Sequence, residues 1–352
     1  MKKIKFHLFL MTFLGVGGGV VGASEIDISG ELNLAATLYQ LPTRDQGTLA
    51  FSIPSLRLDV EVPLRENNEL FFQLESAERR DSGSKRYDTQ LKEAYLSLVS
   101  PLAAASEIRY GLVPNYWIEA QKEHWGFDIW GLPSFLPLLK YGYMSWSDLG
   151  LMYQAGLSAE LGTWGIILSN GEGLESDEVG ARKQVQLVIN LNKMAPLYAL
   201  LNITQGYYDH YDEKINEKRR LASQIGYQTE SGLFALEYFV TQDPAEAITA
   251  LKLGGGVDAA ALNGNNVAGQ GVSLLAKIVV SDKWQVFVRG DWLNPIKEDS
   301  QKTLQDWTGG FSHNLAEDIF LALSYEYTHY SEQFMASPRN ASQFVFATQV
   351  SF

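Results

Sequence analysis

Residues 56–62 read Leu56-Arg57-Leu58-Asp59-Val60-Glu61-Val62. Every second side chain is aliphatic and each one between is charged, a period of two that a strand sorts onto opposite faces. One face of such a strand suits hydrocarbon and the other suits water. Pairing it one residue out of register would carry Arg57 into the apolar side, at about 2–4 kcal/mol for an arginine or lysine at the middle of a bilayer. That cost pins the register.

The alternation spreads outward from this stretch in both directions. Upstream, 26–39 puts Leu32, Leu34, Ala36 and Leu38 on one face and Glu31, Asn33 and Thr37 on the other. Downstream, the pattern predicts strands over 70–77, 91–100, 107–111, 148–161, 164–170, 183–191, 197–207, 219–228, 233–240, 271–280, 284–292, 305–313, 319–328 and 342–352. With 26–39 and 51–62 this makes about sixteen, an even number as expected of a bacterial membrane barrel. Connections after even-numbered strands are short, as at 192–196, 229–232, 281–283 and 315–318, whereas those after odd-numbered strands are long and polar, as at 171–182, 208–218, 241–270, 293–304 and 329–341. The charged run 78–90 reads as another long loop.

The expected fold is therefore all-β: a transmembrane antiparallel β-barrel with short periplasmic turns and long extracellular loops. The chain is 46% apolar, yet the apolar residues lie thinly at every second position rather than in the runs that fill a globular core. Aromatics near strand ends, among them Tyr39, Tyr110, Tyr153, Trp164, Tyr207, Tyr227, Trp284, Trp292, Trp307, Tyr325 and Tyr327, fit interfacial girdles.

The start of the chain has Lys2, Lys3 and Lys5, an apolar stretch over 6–21, and the small pair Gly22-Ala23. It reads as a signal peptide over 1–23, leaving 24–352 as one barrel domain in the outer membrane of a Gram-negative bacterium. Removing three lysines takes the formal charge from −13 to about −16, which argues against a nucleic-acid partner. With no cysteine, the chain has no disulfide and no thiol ligand or nucleophile. The expected partners are outer-membrane lipid and lipopolysaccharide, with ions and small hydrophilic solutes passing through.

About sixteen strands enclose a space too wide for side chains to fill, so a water-filled channel is expected. The alternates of the lipid-facing set then line it: Glu31, Arg57, Asp59, Glu61, Glu75, Glu93, Arg109, Glu160, Arg182, Arg220, Glu237, Lys277, Arg289, Asp291 and Glu326. Both signs are present with acids in surplus, which implies a mild preference for cations.

One stretch breaks the alternation. Residues 112–147, LVPNYWIEAQKEHWGFDIWGLPSFLPLLKYGYMSWS, are too long for a turn and too aromatic for a linker. They follow the fifth strand on the long-loop side, and are expected to fold into the lumen as its constriction. Trp117, Trp125, Phe127, Trp130, Phe135 and Leu139 would pack against the inner wall, with Gly126 and Gly131 as bends. Glu119, Lys122, Glu123, His124 and Asp128 would line the narrowest aperture, where a charged ring selects ions. A loop folded outward, as a lid or subunit contact, is the alternative.

No catalytic constellation emerges. Ser312 and His313 are strand neighbours and so point to opposite faces, wrong for a nucleophile and its base. His210 lies in an acidic run with Asp209, Asp212 and Glu213 that reads as a solvated loop, and the glycines at 254–256 lack a following lysine. Neither an enzyme nor a cofactor is expected.

The chain resembles bacterial outer-membrane porins. The resemblance covers the whole pattern after residue 23. It is most local where Ile108-Arg109-Tyr110-Gly111 runs into the long loop and Ser147-Asp148-Leu149-Gly150 leaves it, a segment similar to its counterpart in the phosphate-selective porin O/P-like group and in general diffusion porins. The end at Phe352, with Phe344, Phe346 and Val350 on the same face, resembles the carboxy-terminal signal of outer-membrane barrels. The resemblance implies a homotrimer with the third loop turned inward. Phosphate selectivity would call for a basic lumen, which this acidic chain lacks. The competing reading is a structural or adhesion barrel acting through its surface loops.

Overall fold

Each strand hydrogen-bonds to the next in sequence, and the last returns to the first long strand, so the long strands form a closed ring. The computed structural model describes residues 4–7, 25–40, 47–81, 84–103, 105–125, 136–158, 161–171, 173–174, 182–207, 217–244, 247, 266–297, 299, 302–331 and 340–352. A short strand β1 (Ile4–His7) pairs with the first residues of β2 (Glu25–Tyr39). The ring continues through β3 (Leu49–Pro63), β4 (Glu69–Asp81), β5 (Ser84–Val99), β6 (Glu107–Pro114), β7 (Ser147–Gly156), β8 (Thr163–Ser169) and β9 (Gln184–Leu191). It is completed by β10 (Leu197–Tyr207), β11 (Glu217–Thr229), β12 (Gly232–Pro244), β13 (Asn266–Val279), β14 (Trp284–Asn294), β15 (Leu304–Ala316), β16 (Ile319–Tyr330) and β17 (Asn340–Ser351). Pairing of β17 with β2, from Gln343 opposite Tyr39 to Ser351 opposite Glu31, closes the sixteen strands β2–β17 into an antiparallel barrel.

Register follows side-chain polarity. In β3, Leu56 faces outward while Ser55 is fully buried on the other side, and in β17 Phe344 and Phe346 are exposed while Val345 and Ala347 are buried. The apolar surface of this protein is thus its outside, and its buried residues lie within the barrel. Closure satisfies the backbone groups that no water would reach in hydrocarbon.

Three expectations are corrected. Within the charged run expected as loop over 78–90, residues 78–81 and 84–90 are strand: Glu78 stands opposite Tyr87 and the ladder runs on to Asp81 opposite Ser84. Ladder bonds are made by backbone, so pairing persists after the hydrophobic alternation stops. Likewise β12 reaches Pro244 and β13 starts at Asn266, which shortens the connection expected over 241–270. The strand expected over 148–161 ends at Gly156, and Glu160 lies outside the described residues.

The register also breaks where Gln73 and Leu74 of β4 meet Glu93 and Leu91 of β5. This bulge leaves Lys92 unopposed and lets it turn inward, where its Nζ lies 2.8 Å from Glu75. Lys92 belongs to the inner set, although strict alternation had given it no role.

Candidate functional site

The chain leaves the wall at Pro114 and rejoins it at Ser147, directly opposite in the β6–β7 ladder. Gly111, just before this exit, has φ +132°, and a Cβ there would fall 2.3 Å from the Ala94 carbonyl oxygen. Only glycine fits this position. Instead of irregular loop, the chain then forms α1 (Tyr116–Trp125). Asn115 caps it: its side-chain oxygen accepts from the Trp117 N–H at 3.1 Å, and its carbonyl accepts from Ile118 and Glu119. Glu119 in the first turn and Lys122 and His124 in the last suit the helix dipole.

Helical spacing divides α1 into faces. Tyr116, Trp117, Ala120, Gln121, His124 and Trp125 are buried, while Glu119, Lys122 and Glu123 are not. The buried face rests on inward-pointing wall residues. The Tyr116 hydroxyl lies 2.5 Å from the Thr163 hydroxyl, and its ring occupies the place a Cβ on Gly165 would take. Gln121 donates to Glu237 at 2.7 Å, and the Lys277 ammonium donates to the Trp125 carbonyl at 2.5 Å. His124 stacks on Tyr198, with centroids 3.6 Å apart and planes within 7°. Trp117 and Trp125 are buried, in keeping with their expected packing role, whereas Phe127, Trp130, Phe135, Gly126, Gly131 and Asp128 lie outside the described residues.

The chain is described again from Leu136 and forms α2 (Pro137–Lys140). Here Leu138 is the buried anchor and Leu139 only half-buried, because the turn of helix aims its neighbour at the wall. The Tyr141 hydroxyl donates to Asp291 at 2.9 Å, Lys140 lies 2.9 Å from Asp306, and Arg220 donates to the Tyr143 carbonyl at 3.0 Å while forming a fully buried ion pair with Asp243. Arg289 grips Asp291 with two bonds of 2.7 and 2.8 Å.

The expected lining residues accordingly fall into three groups. Arg220, Lys277, Arg289, Asp291 and Glu237 touch the inserted segment or lie buried beneath it, and so anchor it instead of lining open space. Glu61 and Glu326 are half-buried on the inner face, the latter accepting from Gln343 at 2.7 Å, and Arg182 is exposed just before β9, its guanidinium 5.3 Å from the Tyr207 ring centroid. On the opposite side of α1 a cavity of about 350 Å³ remains, lined by Arg57, Gln73, Glu93, Tyr95, Arg109, Tyr116, Glu119, Lys122, Glu123 and Trp146, among others. His124 is corrected here: it faces the wall instead of this aperture, because it lies one turn after the buried Ala120 and stacks on the wall residue Tyr198.

Each described cation around the cavity has an acidic or aromatic neighbour. Arg57 lies 2.8 Å from Glu31 and 3.4 Å from Asp59, and Gln73 donates to Asp59 at 2.9 Å. Arg109 spans Glu107 at 2.6 Å and Glu119 at 3.0 Å while covering the Tyr95 ring. Lys122 sits 4.4 Å from the Trp146 ring centroid, and the Trp146 indole N–H donates to Glu93 at 2.8 Å. Burial pushes the Glu119 carboxyl above its usual range, against the pull of Arg109, although a third of its side chain is open to the cavity. Lys92, Tyr95, Tyr116 and Trp146 were not singled out from sequence. The adjacent charges Lys92-Glu93 were the available signal, since a strict strand would send one of them into hydrocarbon.

No protein-family model matches the sequence, and no curated protein does either. Solved structures do match in shape. OmpF of Salmonella typhi, in complex with daunomycin, superposes with a TM-score of 0.67 at 10% identity, covering 94% of this chain and 98% of that one. An anion-selective porin from Comamonas acidovorans gives 0.61 at 13% identity, with 94% and 100% covered. The outer-membrane protein OmpT of Vibrio cholerae, in its trimer form, gives 0.60 at 11% identity, with 93% and 99% covered. At such identities the likeness is one of fold.

Proposed function

We propose that the chain is an outer-membrane porin, a water-filled channel through which ions and small hydrophilic solutes diffuse passively with a mild preference for cations. The observation that carries this reading is the off-centre cavity of about 350 Å³ between the charged face of α1 and the wall of β3–β7, inside a barrel whose exterior is apolar. A channel needs both a polar passage and an apolar jacket, and this arrangement supplies them. Carboxylates outnumber cations around the passage: Glu31, Asp59, Glu75, Glu93, Glu107, Glu119 and Glu123 stand against Arg57, Lys92, Arg109 and Lys122. This surplus supports a weak preference for cations, and the pairing of each of these arginines and of Lys92 with a carboxylate argues against phosphate selectivity.

The same reading places the short turns in the periplasm and the long loops outside, with the apolar jacket in contact with outer-membrane lipid and lipopolysaccharide, in a homotrimer. No catalytic role or cofactor is part of it. Purified protein in a planar bilayer tests it: stepwise current is expected, with a reversal potential in unequal KCl that favours potassium. Absence of any channel current would overturn the reading.

A further inference from the structure

Phe71 breaks the rule that sorts this wall. It lies on the inward face of β4, between Glu69 and Gln73, while Phe72 is exposed on the outside. Across the ladders it faces Glu61 on β3 and Tyr95 on β5, half-buried at the edge of the passage. Its ring tilts 31° against that of Tyr95, with centroids 5.1 Å apart. Together with Tyr116 and Trp146, these rings give the cavity an aromatic lining for which a bore that passes only bare ions has no use.

The same lining already holds two positive charges, both the chain's own. The Arg109 guanidinium lies 5.1 Å from the Tyr95 ring centroid and is bonded to Glu119 at 3.0 Å. The Lys122 ammonium lies 4.4 Å from the Trp146 centroid, and that indole donates to Glu93 at 2.8 Å. In each case an aromatic face lies beside a carboxylate, the pairing that recognises an ammonium once it has shed water. Spacing along the strands is equally telling. Glu93 and Tyr95 are two residues apart on β5, opposite Gln73 and Phe71 on β4, so a carboxylate stands one pleat repeat, about 7 Å, from the aromatic pair.

We infer that the passage has a subsite for organic cations that carry an apolar ring with a primary ammonium two carbons away. The ring lies against Phe71 and Tyr95, and the ammonium sits among Glu93, Glu119 and Glu123. The inference rests on the channel reading and deepens it by naming a class of solute. A bare cation meets only the carboxylates and a neutral ring only the aromatic wall, so a solute with both is held longer than either.

Blockade of potassium current through single channels in a planar bilayer tests this with three small solutes: phenylethylammonium, ethylammonium and phenylethanol. Phenylethylammonium should interrupt the current at a concentration about tenfold below that needed for either of the others. This comparison uses the wild type alone. Phe71→Ala should narrow the gap between phenylethylammonium and ethylammonium by about threefold, and Glu93→Gln should weaken blockade by both ammonium solutes. Equal blockade by phenylethylammonium and ethylammonium, equal blockade by phenylethylammonium and phenylethanol, or a gap preserved in Phe71→Ala would each overturn the inference. A wild-type protein that passes no potassium current would instead overturn the channel reading beneath it.

Discussion

Glu119 is the residue on which the charge of the passage turns, because it is both the partner of Arg109 and open to the cavity. Replacing it with glutamine removes one negative charge and leaves Arg109 with Glu107. A unit charge at 4 Å is worth about 1 kcal/mol in water, so the potassium-to-chloride permeability ratio should fall by at most roughly fivefold, read as a shift in reversal potential. Acid should do the same without mutation. With its carboxyl held above the usual range by burial, Glu119 takes up a proton at higher pH than an ordinary glutamate as the pH falls. The cation preference proposed for the wild type should thus decline on acidification earlier than that of Glu119→Gln, and identical profiles would show that Glu119 is not the titrating group. Arg220 is the residue on which the anchoring turns. Arg220→Met removes the guanidinium that pairs with the buried Asp243 carboxylate and the bond to the Tyr143 carbonyl, so it should cost about 3–5 kcal/mol in unfolding experiments in detergent. The double substitution with Asp243→Leu should recover much of that loss.

At the scale of the element, α1 is held mainly by packing of its aromatic face. Trp117 is completely buried, and Trp117→Ala should destabilise the protein by about 3–5 kcal/mol, measured as a shift in the urea midpoint. Strands were legible in the sequence because their partition between lipid and water enforces a period of two, and Leu56 to Val62 carries that message almost alone. The helix was not, since its apolar face packs within the lumen and its charged face meets only a narrow passage. Its cap could have been seen: Asn115 stands where a helix start needs an oxygen, with Glu119 four residues on. His124 was assigned to the aperture because composition alone does not say which face of a loop meets water. The Lys92 bulge was hidden for a related reason, as alternation predicts faces only while pairing stays regular.

For the molecule as a whole, wall and plug are separable. The wall is complete without residues 117–144, because β6 and β7 are hydrogen-bonded up to Pro114 and Ser147, and the ring is closed elsewhere by β17 on β2, with Phe352 and Gly30 exchanging backbone bonds of 2.9 and 3.0 Å. Sixteen strands unfilled would leave a wide aqueous bore. On the proposed channel reading it is narrowed by the inserted segment, whose described residues bury aromatic and aliphatic side chains against the inner wall and leave a cavity beside β3–β7. Replacing 117–144 by a short Gly/Ser linker should therefore preserve the barrel, seen as retained β-sheet circular dichroism, while raising unitary conductance severalfold. It should also uncover Arg220, Arg289 and Lys277, which now lie buried or anchored beneath the segment, and so weaken the proposed preference for cations. Two failures would carry different meanings. An unfolded product would mean that the inserted segment, rather than the backbone ring, supplies the stability of the barrel. A folded product with unchanged conductance would mean that the bore is limited elsewhere along its length, and the assignment of Glu119, Lys122 and Glu123 to the narrowest point would fall with it.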